Sequence, residues 1–151
     1  MENYEEAHRL RLLDVDALLA VAPPRSTAAA HLGGVAVECR LKALILTYHK
    51  INVWDEPSKR VGDPRHKRPI QRTSHALRAA VKLMDVLYKK AQADPQFLKH
   101  LESVTYPAGA NASDFIALRY SGSDLGSEIF PEWRRSLDYV LGWLKKNEVL
   151  L

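Results

Sequence analysis

The sequence contains one cysteine, Cys39, among its 151 residues. A single thiol excludes an intramolecular disulfide framework and favours a reducing compartment, so we expect a cytoplasmic protein. Cys39 also falls in the most apolar stretch of the chain. We therefore expect it in the core, without the exposed, electropositive setting that activates a nucleophilic thiol.

Metal-binding and cofactor-binding motifs are also absent. The six histidines show no HxxxH spacing, and the chain has no CxxC pair, P-loop or GxGxxG motif. We therefore expect no metal site and no cofactor. Residues 1–6 are acidic and lack the apolar segment of a signal peptide, and no apolar run reads as a membrane span. Membrane attachment is not expected.

The overall composition is typical of one globular domain, which we expect to cover residues 1–151. Hydrophobic residues make up 46% of the chain and charged residues 26%, and both values are ordinary for a globular protein. The formal net charge is +4. This mildly basic balance is compatible with nucleic-acid contact, but the position of the positive charge matters more than its sum.

The longest mostly apolar stretch runs from Thr27 to Tyr48. On a helix its apolar residues cover most of the circumference, which indicates a buried central helix or a membrane span. His31, Glu38 and Lys42 favour the first alternative, because charges are costly at the centre of a bilayer. Small residues fill its N-terminal half and predict close approach of neighbouring helices.

Four other segments are typical of helices. We expect a first helix over Asn3–Ala22, whose apolar face consists of Leu10, Leu13, Leu18 and Leu19. A third helix is expected from a cap at Thr73 or Ser74 to about Ala93, a fourth from the Asp94 cap to about Val104, and a last helix over Pro131–Asn147. The interval Ser113–Tyr120 fits either a short helix or an extended piece. No strand or repeat is evident. The sequence predicts an all-α, up-and-down bundle of four to five helices.

A long irregular segment, Lys50–Gln71, joins the second and third predicted helices. Its second half and the residues after it hold the main concentration of positive charge: Lys59, Arg60, Arg65, Lys67, Arg68 and Arg72. Two interpretations stay open, a solvated mobile loop and a loop that binds the phosphates of RNA, DNA or a nucleotide. The basic half contains no aromatic residue, so it does not indicate a base-stacking surface.

Three pieces of the chain together resemble the HEPN family (higher eukaryotes and prokaryotes nucleotide-binding), whose members are small all-α bundles. They are HLGGVAVECRLKALI at residues 31–45, SHAL at 74–77 and ALRY at 117–120. Ala76 stands where the family usually has an acid, and the loop is longer than usual. The resemblance implies binding of RNA or a nucleotide, a homodimer, and a toxin–antitoxin or defence setting with a nucleotidyltransferase-type or antitoxin partner.

Ribonuclease members of that family carry an arginine followed, after four to six residues, by a histidine. Three pairs match: Arg25 with His31, Arg60 with His66, and Arg68 with His75. The last is best placed, because His75 opens a predicted helix and the basic loop leads into it. The resemblance thus implies an alternative function as a metal-independent endoribonuclease, with His75 as general acid or base and Arg68 stabilising phosphorane charge.

The polar residues of the central helix have a structural interpretation as well. Seven residues separate His31 from Glu38, and four separate Glu38 from Lys42, so the three lie close to one line on a helix. We expect a buried polar network in which Arg119 pairs with Glu38 and Tyr120 lies beside it. A third alternative for the chain as a whole is a non-catalytic protein-interaction domain.

Overall fold

The computed structural model describes residues 2–110, 112–122, 124–126 and 130–151. Over these ranges the chain is all-α, as predicted, and contains no β-strand. Its six α-helices are α1 (Tyr4–Ala20), α2 (Ser26–His49), α3 (Leu77–Lys82), α4 (Asp85–Gln92), α5 (Pro95–Thr105) and α6 (Phe130–Asn147). Two short 3₁₀ helices cover Ala117–Tyr120 and Glu148–Leu150. None of the helices in these ranges is long and apolar enough to cross a membrane.

Helix α2 is the centre of the fold. It packs along α1 and also contacts α3, α5 and α6. A Cβ atom on Gly34 would lie 2.2 Å from Cγ of the buried Phe115, and a Cβ on Gly33 would lie 2.6 Å from Cζ2 of Trp133. Both glycines therefore allow aromatic rings to touch the helix, which confirms the prediction of close packing here.

Local capping signals set two of the helix starts. The Asn3 side chain accepts a hydrogen bond from the Glu6 amide at 3.1 Å, and the Asp94 side chain accepts one from the Phe97 amide at 3.3 Å. Pro95 occupies the first position of α5, where no amide hydrogen is needed. The predicted start of α5 is confirmed.

The single helix predicted from Thr73 to Ala93 is wrong, because α3 ends at Lys82 and α4 starts at Asp85. Two buried side chains from elsewhere in the chain bind the backbone groups that are free at this break. His49 Nε2 donates to the Leu83 carbonyl at 2.8 Å, and Asp63 Oδ2 accepts from the Asp85 amide at 3.3 Å. These bonds replace the helical ones, so the described ranges contain six α-helices instead of the predicted four or five.

The apolar face predicted for α1 is confirmed at Leu18 and Leu19, which pack against the core, and is wrong at Leu10 and Leu13. Tyr4 and Val15 are buried against the rest of the bundle, whereas Leu10 and Leu13 are exposed. At about 100° per residue, Leu10 and Leu13 lie on the side of the helix opposite Val15. Among the described residues, both side chains therefore face the surface.

Candidate functional site

The first candidate site is built on a buried ion pair within α2. Lys42 Nζ lies 2.5 Å from Glu38 Oε1, and the two residues are only 4% and 8% exposed. One helical turn separates them, so α2 alone brings them together. Each charge neutralises the other in a region where an unpaired ion would be costly.

His75 is attached to this pair from the segment before α3. Its Nδ1 donates a hydrogen bond to Glu38 Oε2 at 2.9 Å, and 48% of the His75 side chain is exposed. The edge of the imidazole faces the Phe115 ring, with 6.4 Å between centroids. A carboxylate that holds Nδ1 leaves Nε2 to accept or donate a proton at the surface, which is the arrangement of an oriented acid–base histidine.

The other residues predicted for the buried network lie elsewhere. His31 Nδ1 donates to the Phe115 carbonyl at 2.8 Å, and the Arg119 guanidinium stacks 4.7 Å from the Tyr120 ring centroid. Arg119 and Tyr120 are both exposed. Glu38 bonds to Lys42 and His75 through its two oxygens, so the predicted pairing of Arg119 with Glu38 is wrong.

A second polar group that the sequence did not indicate lies beside the ion pair. Lys42 Nζ is 5.8 Å from the Tyr4 ring centroid, and the Tyr4 hydroxyl accepts a bond from Trp54 Nε1 at 2.9 Å. The Tyr4 hydroxyl also bonds to Glu2, which is paired with Arg72 at 2.8 Å. Burial and the bond to Glu2 raise the pKa of Tyr4. Arg72, predicted to bind phosphate, is therefore attached to the N-terminal residues.

The second candidate site is the basic loop, residues 59–72, and a buried carboxylate holds it. Asp63 accepts bonds from the Tyr48 hydroxyl at 2.7 Å, the Arg65 amide at 2.8 Å and the Asp85 amide at 3.3 Å. Burial by itself would raise the pKa of Asp63, but these hydrogen bonds outweigh it and lower the pKa. Burial, helped by the bond to Asp63, raises the pKa of Tyr48 to about 12.

His49 and Ser58 form a second attachment between α2 and the loop, because Ser58 directly precedes the basic loop. The fully buried His49 donates through Nε2 to Leu83, so its Nδ1 accepts the bond from the Ser58 hydroxyl at 2.7 Å. Burial lowers the pKa of His49, which keeps the ring neutral. The Ser58 backbone also pairs with the far side of the loop, at the Lys67 amide and the Arg68 carbonyl. The loop is thus internally bonded, which favours the interpretation of a preformed surface over that of a mobile loop.

The predicted phosphate-binding cations separate into two groups. Arg60 stacks 4.4 Å from the Tyr48 ring centroid and donates to the Leu151 carbonyl, and Lys59 lies 3.7 Å from Glu56. Arg65 lies 3.9 Å from Asp63. Lys67 and Arg68 are exposed and have no side-chain hydrogen bond or ion pair within the described ranges. These two cations are the ones available to a ligand.

No hydrogen bond or ring contact joins Arg68 to His75 among the described residues. A ligand would have to lie across both, or a second copy would have to supply one of them. Over the same residues, no group of three histidine, cysteine or acidic side chains is placed to hold a metal ion.

Comparison with known proteins adds no relative. No protein-family model, curated protein or solved structure matches the chain. The resemblance to HEPN domains therefore rests on residues 31–45, 74–77 and 117–120 of this sequence and stays a prediction.

Proposed function

We propose that the chain is an HEPN-like domain that binds RNA or a nucleotide through phosphate contacts on the basic loop. The observation that carries the proposal is the exposure of Lys67 and Arg68, without a partner among the described residues, on a loop that Asp63 and His49 attach to the bundle. Cations held on a preformed surface lose less conformational entropy when they bind a phosphate than cations on a mobile chain.

The test is RNA binding by a loop variant. We expect Lys67→Gln/Arg68→Gln to weaken the binding of a single-stranded RNA by about tenfold at physiological salt, because two phosphate contacts are lost. Fluorescence anisotropy with a labelled oligonucleotide measures this. The matched control is Lys99→Gln/Lys145→Gln, which removes two exposed lysines outside the loop and should bind as the wild type does. Equal affinity of the loop variant and the control would refute the proposal.

The bond between Glu38 and His75 favours a second candidate, a metal-independent endoribonuclease. In this reaction His75 Nε2 accepts the proton of a ribose 2′-hydroxyl, and the 2′-oxygen attacks the adjacent phosphorus. The bond to the 5′-oxygen breaks, that oxygen leaves with a proton from water, and the His75 imidazolium returns its proton to the solvent. Arg68 stabilises the charge of the phosphorane. The products are a 2′,3′-cyclic phosphate and a 5′-hydroxyl.

Cleavage in the presence of EDTA separates the two candidates. If the chain is a ribonuclease, we expect His75→Ala to reduce the rate by about 10²–10⁴-fold, the usual contribution of a positioned acid or base. His66→Ala, the histidine of another matching pair, should keep the rate. An inactive wild type would rule out the enzyme. A His75→Ala variant as active as wild type would rule out His75 as its acid or base, and either result leaves the binding proposal intact.

The proposal extends to the setting of the protein. We place it in the cytoplasm as a homodimer within a toxin–antitoxin or defence system, with a nucleotidyltransferase-type or antitoxin partner. Leu10 and Leu13, which are exposed on α1, would give two apolar side chains to a contact with a second copy. The remaining alternative, a protein-interaction domain that binds no nucleic acid, predicts that the chain shows no salt-dependent affinity for RNA.

A further inference from the structure

Gly142 lies in the interior of α6, at a position that gives no packing reason for glycine. A Cβ added there would have no atom within 4 Å, in contrast to Gly33 and Gly34, where aromatic rings fill the space. Its backbone is helical, so no positive φ requires glycine either. Because glycine is among the least favourable residues in a helix interior, its presence here calls for another explanation.

The position of Gly142 is explained by a cleft of about 630 Å³, which lies between the end of α4, the start of α5 and one face of α6. Gly142 lines it, and so do Tyr139, Trp143 and Lys146, which recur on the same helical face. The volume lies within the roughly 300–1,000 Å³ of small-molecule sites. Without a side chain at position 142, a ligand can approach the backbone of α6.

Two aromatic rings form a fixed wall of the cleft. The Tyr139 hydroxyl and the Trp143 indole N–H both donate to Asp94 Oδ2, at 3.2 and 3.1 Å. Tyr139 stacks on His100 with 4.3 Å between ring centroids, and Trp143 stacks on Phe97 at 3.7 Å. Tyr139 nevertheless remains 36% exposed. Hydrogen bonds and stacking thus fix the orientation of both rings, and the exposed part of Tyr139 is available to a planar ligand.

Two lysines give the cleft its charge. Lys90 lies in the last turn of α4 and Lys146 in the last turn of α6, and within the described part of the chain neither forms an ion pair. The carboxylates that line the cleft are engaged, Asp94 with the two aromatic donors and Asp138 with Arg134 at 3.3 Å. Both lysines also offset the negative ends of their helices. The charge that remains available to a ligand is positive.

We propose that this cleft binds a nucleoside phosphate, either free or at the end of an RNA strand. The base lies against Tyr139, the phosphate lies between Lys90 and Lys146, and Gly142 leaves the space that the ligand occupies. A planar aromatic group joined to an anion matches the wall and the two ammonium groups. The cleft shares no residue with the basic loop, so this site stands independently of the proposed function.

Titration calorimetry with AMP tests the site. We expect wild type to bind AMP, and Gly142→Leu and Lys90→Gln/Lys146→Gln each to weaken binding by at least about tenfold. Gly142→Ala should raise the melting temperature and keep most of the affinity, because it improves helix propensity and adds only a methyl group. Ala79→Leu, an exposed substitution on α3, serves as the control for added apolar bulk and should bind as wild type does.

Competition with 5′-phosphorylated and 5′-hydroxyl RNA separates the two sources of the ligand. Displacement of AMP by the phosphorylated strand alone assigns the cleft to an RNA end, and displacement by neither strand assigns it to a free nucleotide. The melting temperature of Gly142→Leu shows that any loss of binding is not a loss of folding. The proposal fails if wild type shows no saturable AMP binding up to about 1 mM, or if a folded Gly142→Leu binds AMP as tightly as wild type.

Discussion

Glu38→Gln is expected to lower the free energy of unfolding by about 3–5 kcal/mol, because it leaves the ammonium of Lys42 buried without a counter-charge. Lys42 is 4% exposed, and its Nζ bonds to Glu38 Oε1. The substitution also removes the carboxylate that holds His75. Urea unfolding followed by circular dichroism measures the change, and the m-value should stay constant if the native state keeps its compactness.

Two further variants separate the buried charge from the loss of a side chain. Glu38→Leu/Lys42→Met removes both ions and should recover most of the stability, since apolar residues of similar volume replace buried pairs at little cost. Glu6→Gln breaks the exposed pair with Arg9 and should leave the unfolding curve unchanged. A Glu38→Gln protein as stable as wild type would contradict the assignment of Glu38 and Lys42 as a buried, mutually neutralised pair.

The second large effect is expected at Asp63. Asp63→Ala removes the acceptor of three hydrogen bonds and leaves the Tyr48 hydroxyl and two backbone amides without it. A buried donor without a partner costs about 1–3 kcal/mol, so we expect the free energy of unfolding to fall by about 3 kcal/mol or more. Thermal and urea unfolding measure the loss. Hydrogen exchange should show the loop and the junction of α3 and α4 opening first.

Asp63→Ala also bears on function, because it acts on the loop without touching its exposed cations. We expect weaker RNA binding even where the variant is still folded, since Lys67 and Arg68 lose their fixed positions. The matched control is Asp124→Ala, an exposed acid outside the loop, which should change neither stability nor binding. Full stability of Asp63→Ala would show that the loop is not anchored by this carboxylate.

The parts of the fold that local chemistry determines were predictable from the sequence. Three features all reflect properties of neighbouring residues: the mostly apolar pattern of α2, the Asp94–Pro95 start of α5 and the glycines that admit aromatic rings. The break between α3 and α4 was not predictable. It depends on His49 and Asp63, which reach the break from α2 and from an irregular loop, and helix propensity contains no information about such distant bonds.

The candidate site shows the same division. The pairing of Glu38 with Lys42 follows from a spacing of four residues on one helix. The bond from His75 to Glu38 spans 37 residues and depends on the course of the loop. The sequence does not indicate this bond, and Arg119 is therefore wrongly predicted as the partner of Glu38. The cleft at Gly142 combines residues of α4, α5 and α6 and had no signal in any single segment.

Phosphate recognition by the basic loop makes RNA binding depend on salt. We expect the logarithm of the affinity of wild type to fall linearly with the logarithm of salt concentration. The slope for Lys67→Gln/Arg68→Gln should be shallower by about 1.4, or about 0.7 for each lost phosphate contact with a single strand. Lys99→Gln/Lys145→Gln should keep the wild-type slope. Identical slopes for wild type and the loop variant, or affinity that does not change with salt, would contradict phosphate recognition by the basic loop.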